Sequence, residues 1–233
     1  QPYQFIILVL VVLLIVVAVT EFPRCKPLAA DSNESKATIG ETLRYLAGNG
    51  RFKAGIVAQF LYVGMQTAVW SFTIRLALQL DPALNERVAS NYMIWAFIGF
   101  FVGKFIANIL MTKFNENKVL IAYSVLGVLA LLYVINVHNM SAVWAAIFTS
   151  ALFGPCWATI YARTLDTIED KRHTETGGAV IVMSIIGGAV IPVIQGFVSD
   201  HTGSMQTAFI VSLLCFAAVL VYFISARRWE LNK

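Results

Sequence analysis

Gln59, Tyr62, Gln66, Trp70 and Thr73 recur along one hydrophobic stretch at spacings of 3, 4, 4 and 3. At about 100° per residue they fall on a helix within a stripe about 80° wide. Polar side chains at membrane depth need partners or water. Amides bind hydroxyls, and an aromatic face packs against C–H groups, so this mixture suits a sugar. The plainer alternative is hydrogen bonding between helices by Gln and Thr. A smaller stripe further on holds Gly177, Ser184, Gly188 and Gln195. Pro192, within it, removes a backbone donor and permits a bend, and Gly154-Pro155 does similar work one segment earlier. Bent helices suit alternating access.

Other groups narrow the chemistry. Lys104 lies about two turns from the inner end of its segment, with Asn108 at i+4. It either snorkels or pairs with carbonyls or carboxylates of neighbouring helices at the cytoplasmic side. Arg75, opposite the polar stripe, reads as snorkelling. All 13 acidic residues fall in loops or at segment ends. A proton-coupled carrier normally carries buried acids or histidines, so this stretch of chain cannot supply the usual relay. His138, His173 and His201 are expected in loops. Cys25, Cys156 and Cys215 fit neither a disulfide frame nor a metal-ligand spacing. No metal and no cofactor are expected. No HExxH, GxSxG or intramembrane Asp pair is present, so no enzyme is expected.

The elements that must position these residues are apolar blocks. Of 233 residues, 58% are hydrophobic and only 13% charged. Soluble domains run about 45–50% and about 25%. Seven segments of membrane length can be drawn: 3–22, 53–80, 88–112, 118–137, 142–165, 177–199 and 205–226. All are read as helices, since a lone strand leaves its backbone unpaired in lipid. The first could be mistaken for a signal peptide, but the span reading is the stronger expectation. No basic region precedes it, and FPRCK rather than a small-residue cleavage site follows.

Fourteen of the 17 basic residues fall on one side of this topology, whereas the opposite side has only Arg87. The crowded side is cytoplasmic by the positive-inside rule. The C-terminus is then cytoplasmic and Gln1 outside. The net charge of +4 reports topology, and no nucleic-acid partner is expected. The segment order is greasy, polar, glycine-rich, then the same again, then greasy. The second to fourth segments start inside and the fifth to seventh outside. They read as two inverted three-helix units, a transporter signature. The first segment falls outside this pair. The chain starts at Gln1 directly on a hydrophobic segment, which reads as a fragment or processed chain. The long loop between the first two segments reads as a linker, in which ATIGETLRYLAG (37–48) is expected to form a short surface helix.

AQFLYVGMQTAVWSFTIRLAL (58–78), SNYMIWAFIGFFVGKF (90–105), NKVLIAYSVLG (117–127) and IVMSIIGGAVIPVIQGFVSDHTG (181–203) resemble the fucose:H+ symporter family of the major facilitator superfamily. The likeness runs from about Gly55 to the C-terminus. It implies an all-α membrane protein whose seven transmembrane helices correspond to helices 6–12 of a twelve-helix fold. It further implies that 1–22 is the last helix of an N-terminal half and 23–52 the central cytoplasmic loop. Residues 53–226 would be the C-terminal six-helix domain and 227–233 a cytoplasmic tail. The implied location is the cell (inner or plasma) membrane. The implied partners are a monosaccharide, protons, the bilayer and an N-terminal half that bears the proton-binding carboxylates.

Gln66 and Trp70 match the family's QTA-x-WS pattern, and Asn91-Tyr92 matches an Asn-Tyr pair. Trp157-Ala158 stands where the family has a sugar-facing Tyr-Pro. Indole keeps a face and an N–H donor but cannot accept as a phenol does. Lys104 stands where the family usually has Arg, which turns a planar fork into a point charge. The expected sugar wall is therefore Tyr62, Gln66, Trp70, Asn91 and Trp157. Lys104, Asn108, Gly188, Pro192 and Gln195 are expected to serve gating or structure. Two other classes compete. A seven-helix receptor or retinal protein fits the span count, but the last segment has no Schiff-base Lys and no DRY-like or NPxxY-like motif occurs. An accessory membrane subunit would leave the polar stripe without a function.

Overall fold

The computed structural model describes residues 2–20 and 37–231. Among these, every regular element is helical. The first part of the expected cytoplasmic loop, with Arg24, Cys25, Lys26 and Lys36, lies outside the described residues, as do residues 232–233. The chain divides into two compact units, 1–36 and 37–233.

The first unit contributes α1 (Pro2–Val19), a helix built almost wholly of Ile, Leu and Val. Its side chains from Tyr3 to Val19 are exposed within this unit.

The second unit opens with α2 (Ile39–Gly48), started by a capping box. The Glu41 carboxylate accepts from Thr38 N–H at 2.9 Å, and Thr38 Oγ1 accepts from Glu41 N–H at 3.4 Å. Its inner face buries Thr42 and Leu46. Asn49 ends α2 and caps α3 (Gly50–Leu80), accepting from the N–H groups of Arg51 and Phe52. Its side-chain amide also donates to the Thr167 carbonyl at 2.8 Å. Then follow α4 (Glu86–Lys113), α5 (Glu116–Asn136), α6 (Ser141–Leu152), α7 (Cys156–Leu165), α8 (Thr174–Met183), α9 (Gly187–Thr202) and α10 (Met205–Leu231).

Five helical stretches are long and apolar enough to cross a membrane: 86–113, 116–136, 141–165, 171–202 and 205–229. The α3 helix has 31 residues, about 46 Å at 1.5 Å per residue. It is not among the five, because its amides, aromatics and basic groups lower its hydropathy. The apolar stretch of α1, 3–19, is shorter than 18 residues. Five of the seven expected spans thus meet a length-and-apolarity criterion among the described residues.

Two spans are not single α-helices. The fifth breaks at Phe153-Gly154-Pro155 between α6 and α7, where the sequence predicts a bend. The sixth runs α-helical straight through Pro192. Its irregularity comes earlier, as a 3-10 turn at Ser184–Ile186. Pro192 cannot donate to the Gly188 carbonyl four residues back; Thr67 Oγ1 of α3 lies 3.2 Å from that carbonyl, a longer contact than its 2.9 Å bonds to the Val63 and Gly64 carbonyls of its own helix. His201 also sits in the last turn of α9 and not in a loop.

The packing follows the expected inversion. The α3 helix packs most closely on α9 and α10, and the α6–α7 span packs in the same way on α4 and α5. Exchanging the two sets of three spans maps one pattern onto the other. Glycines make the closest crossings in both sets. A Cβ on Gly187 of α9 would strike the Phe60 carbonyl of α3, and one on Gly103 of α4 would strike the Ala151 carbonyl of α6. Ala151 is also the residue whose carbonyl Pro155 leaves without its helical donor.

Candidate functional site

The α3 stripe splits in two once the neighbours are placed. Gln59, Tyr62 and Thr73 are fully enclosed. Gln66 and Trp70 are half-buried on the same helix. Tyr62 is therefore closed off from the surface of this chain. Its hydroxyl donates to the Phe153 carbonyl at 2.7 Å, and its ring meets Phe153 edge-on. A 40° step on the helix separates Tyr62 from Gln66, and the α6–α7 break covers the first but not the second.

Gln66 has no hydrogen-bond partner among the described residues, so its amide is free to bind a ligand. Trp70 is fixed in place: Nε1 donates to Ser150 Oγ at 3.2 Å. Phe97, Phe100 and Phe153 meet its ring edge-to-face at 5.1, 5.5 and 6.4 Å. Asn91 is exposed at the second turn of α4, beside Tyr92, whose ring packs edge-on against Trp144. Trp157, at the start of α7, is 37% exposed. One face of its indole is stacked on Tyr161 at 5.5 Å and 8°, leaving the other for a ligand. Four of the five expected wall residues are thus reachable, on three different helices.

The expected gating residues fall into two groups. Lys104 and Asn108 are exposed on α4 and have no side-chain partner among the described residues. Gly188, Pro192 and Gln195 lie on α9. The Gln195 side chain is fully buried, and its Oε1 accepts from Ser212 of α10 at 2.6 Å. Its amide nitrogen has no partner, and neither end of the Gln59 amide has one.

Three contributors escape a reading of residue types. Ser150 and Phe153 hold the α3 stripe, and Tyr161 backs Trp157. Pro155 marks the break beside the first two, but the carbonyl it leaves without a donor is that of Ala151, so it does not single them out. The Trp157–Tyr161 spacing of four residues is the signal for the third.

The other end of the domain is polar. Arg163 pairs with Glu116 at 3.1 Å and donates to Asn117 at 2.5 Å, joining α7 to α5. Asp170 is held down to about 2 by hydrogen bonds from Arg172. Hydrogen bonds from Thr38 lower the Glu41 carboxyl as well. His173 is buried, bonded through Nδ1 to Thr42 Oγ1 at 2.7 Å and stacked on Tyr45 at 4.5 Å. It docks α2 onto the bundle. A cavity of about 1040 Å³ opens here, lined by Tyr45, Arg51, Arg163, Asp166, Tyr222 and Trp229 among others. None of the expected sugar residues lines it. No group of three or more His, Cys, Asp or Glu able to hold a metal occurs among the described residues.

A family model described as the Major Facilitator Superfamily matches residues 55–231. The L-fucose-proton symporter of Escherichia coli (strain K12) is 30% identical over 223 residues, covering 95% of this chain and 50% of that protein. The L-fucose-proton symporter of Haemophilus influenzae is 28% identical over 238 residues, covering 100% of this chain and 53% of that protein. A glucose/galactose transporter of Brucella abortus is 26% identical over 225 residues, covering 95% and 52%. A crystal structure of the E. coli fucose:proton symporter superposes with a TM-score of 0.83 at 30% identity, covering 97% of this chain and 54% of that one. The chain spans about half the length of the curated relatives it matches.

Proposed function

This chain belongs to the Major Facilitator Superfamily, and from that premise we propose that it is the C-terminal portion of a proton-coupled monosaccharide symporter. The observation that carries this reading is Gln66, a half-buried amide without an internal partner beside the fixed indole of Trp70. A free amide next to an aromatic face is what a pyranose wall requires, and relatives of known function carry L-fucose or glucose and galactose. Gln66, Trp70, Asn91 and Trp157 form this half of the wall. Residues 1–22 are the last helix of an N-terminal half, 23–52 the central loop, 53–226 the six-helix domain and 227–233 the tail. The seven helices correspond to helices 6–12 of the fold. The protein resides in the cell membrane with its C-terminus in the cytoplasm.

Transport proceeds by alternating access. Two halves rock about a sugar held near the midplane. The C-terminal half offers hydrogen bonds and ring faces, and the N-terminal half carries the proton. Lys104 and Asn108 serve the inner gate. Gly188, Pro192 and Gln195 shape α9 and join it to its neighbours. No chemical step on the sugar is involved.

The test is Gln66→Ala in the complete carrier, assayed by uptake of labelled L-fucose, D-glucose and D-galactose. Two neutral hydrogen bonds at about 1 kcal/mol each predict a rise in KM of about 30-fold. Because Gln66 has no partner among the described residues, abundance and melting temperature stay at wild-type values. Unchanged KM at normal abundance refutes the site.

A further inference from the structure

We propose that Tyr62 is a positioning residue for the sugar wall, which it serves by fixing the bearing of α7 at the α6–α7 break. The inference rests on the sugar-site reading above, since α7 matters to transport through Trp157.

The break is weakly held from within. Phe153 N–H reaches the Ser150 carbonyl at 3.3 Å, Cys156 N–H reaches the Phe153 carbonyl at 3.2 Å, and Thr159 N–H reaches the Pro155 carbonyl at 3.4 Å. All three lie at or beyond the long end of the N–H···O range. Pro155 supplies no donor at all. The shortest hydrogen bond onto this turn comes from outside, from Tyr62 at 2.7 Å, and both of its partners are fully buried.

The two sides of the break are anchored differently, and α7 packs directly on α3, where a Cβ on Gly55 would strike Thr164. The α6 side is keyed to α4, where Gly103 sits against the Ala151 carbonyl and Gly154 against the Lys104 main chain. It is also tied to α3 through Ser150 and Trp70. Trp157 lies two residues beyond Pro155, on the α7 side. The Tyr62 hydroxyl bonds the Phe153 carbonyl, which also accepts from Cys156 N–H at the start of α7, and so ties the turn just before Trp157 to α3, which carries Gln66 and Trp70. Two walls of one site are registered by a phenol that does not face the ligand.

The experiment uses the complete carrier and four variants: Tyr62→Phe, Pro155→Ala, Gln66→Ala and, as a reporter, Ala158→Cys in a Cys25→Ser background. Position 158 is exposed beside Trp157, whereas Cys156 and Cys215 are buried. Uptake of L-fucose, D-glucose and D-galactose is measured, together with protection of the reporter thiol from maleimide by whichever sugar is carried. Tyr62→Phe is expected to raise KM about 10-fold, change the maximal rate less than twofold and abolish most of the sugar protection at position 158. Pro155→Ala, which restores a helical donor and straightens the break, is expected to do the same. It keeps the test open should Tyr62→Phe fail to accumulate. If Gln66→Ala raises KM but Tyr62→Phe or Pro155→Ala leaves both KM and protection unchanged, the positioning role is overturned and the site survives. A loss of melting temperature in Tyr62→Phe with wild-type KM and protection overturns it too. If Gln66→Ala also leaves KM unchanged, the sugar-site reading itself falls and takes this inference with it.

Discussion

Replacing Gly154 by Ala tests whether main-chain contact between α4 and the α6–α7 break is an essential part of the packing. Gly154 is fully enclosed. A Cβ built there stands 2.6 Å from Lys104 Cα and 2.7 Å from Lys104 N, where ordinary contact begins at 3.4 Å. The shortfall is about 0.8 Å, and the obstructing atoms are backbone in the middle of α4, so no rotamer change relieves it. The α4 helix cannot simply slide, because Gly103 is already against Ala151. Overpacking of this kind destabilises by about 1–3 kcal/mol, against which the unfolded chain's lost freedom returns about 0.4–1 kcal/mol. The only positive φ among the described residues is at Gly203, so the penalty at Gly154 is steric. A net loss of about 1–2 kcal/mol lowers the melting temperature by about 2–8 °C on the scale of domains this size. The control is Gly40→Ala, in exposed α2 with nothing within 4 Å, where the same change is neutral or stabilising by up to about 1 kcal/mol. Both variants are melted in the same detergent by intrinsic fluorescence. Gly154→Ala melting at or above the wild type, in step with Gly40→Ala, refutes the close-packed crossing.

Gln59→Leu removes a fully buried amide that bonds to nothing at either end, so the variant melts higher, by the equivalent of about 1 kcal/mol; a lower melting temperature in the same assay means the amide is hydrogen-bonded after all. Thr42→Val strips the 2.7 Å bond to His173 and loosens α2 alone, seen as faster amide hydrogen exchange over 39–48 with the spans unchanged. The Asp170 carboxyl titrates at about 2, below its ordinary 3.8, so its pairing with Arg172 is complete above about 4 and is lost as pH falls through about 2. Arg172→Ala raises the carboxyl only part of the way toward the ordinary range, because the residue-172 N–H still donates to it; this is read by carbon NMR of labelled aspartate, with no change in the neutral-pH behaviour of the spans.

Sequence alone carried the helical architecture a long way. Apolar blocks of membrane length became helices because lipid offers the backbone no other partner, and their ends fall within a few residues of 53–80, 88–112 and 118–137. The order of polar and glycine-rich segments carried the two-unit packing, since glycine marks where one backbone must approach another. The α3 stripe was legible from its spacing.

What periodicity could not decide is which part of the stripe meets a neighbour. Tyr62 and Gln66 differ by 40° of arc, less than the width of a helix-packing groove. Only the position of Phe153 encloses the first and leaves the second open. Likewise, Pro192 in the sequence is a bend, but in the fold the helix runs on through it, with the Thr67 hydroxyl of α3 packed against the Gly188 carbonyl that has lost its donor. Residue type and spacing determined which groups were available. Tertiary contact decided which were consumed internally and which remained for a ligand, because a hydrogen bond made within the bundle leaves that donor or acceptor no longer free.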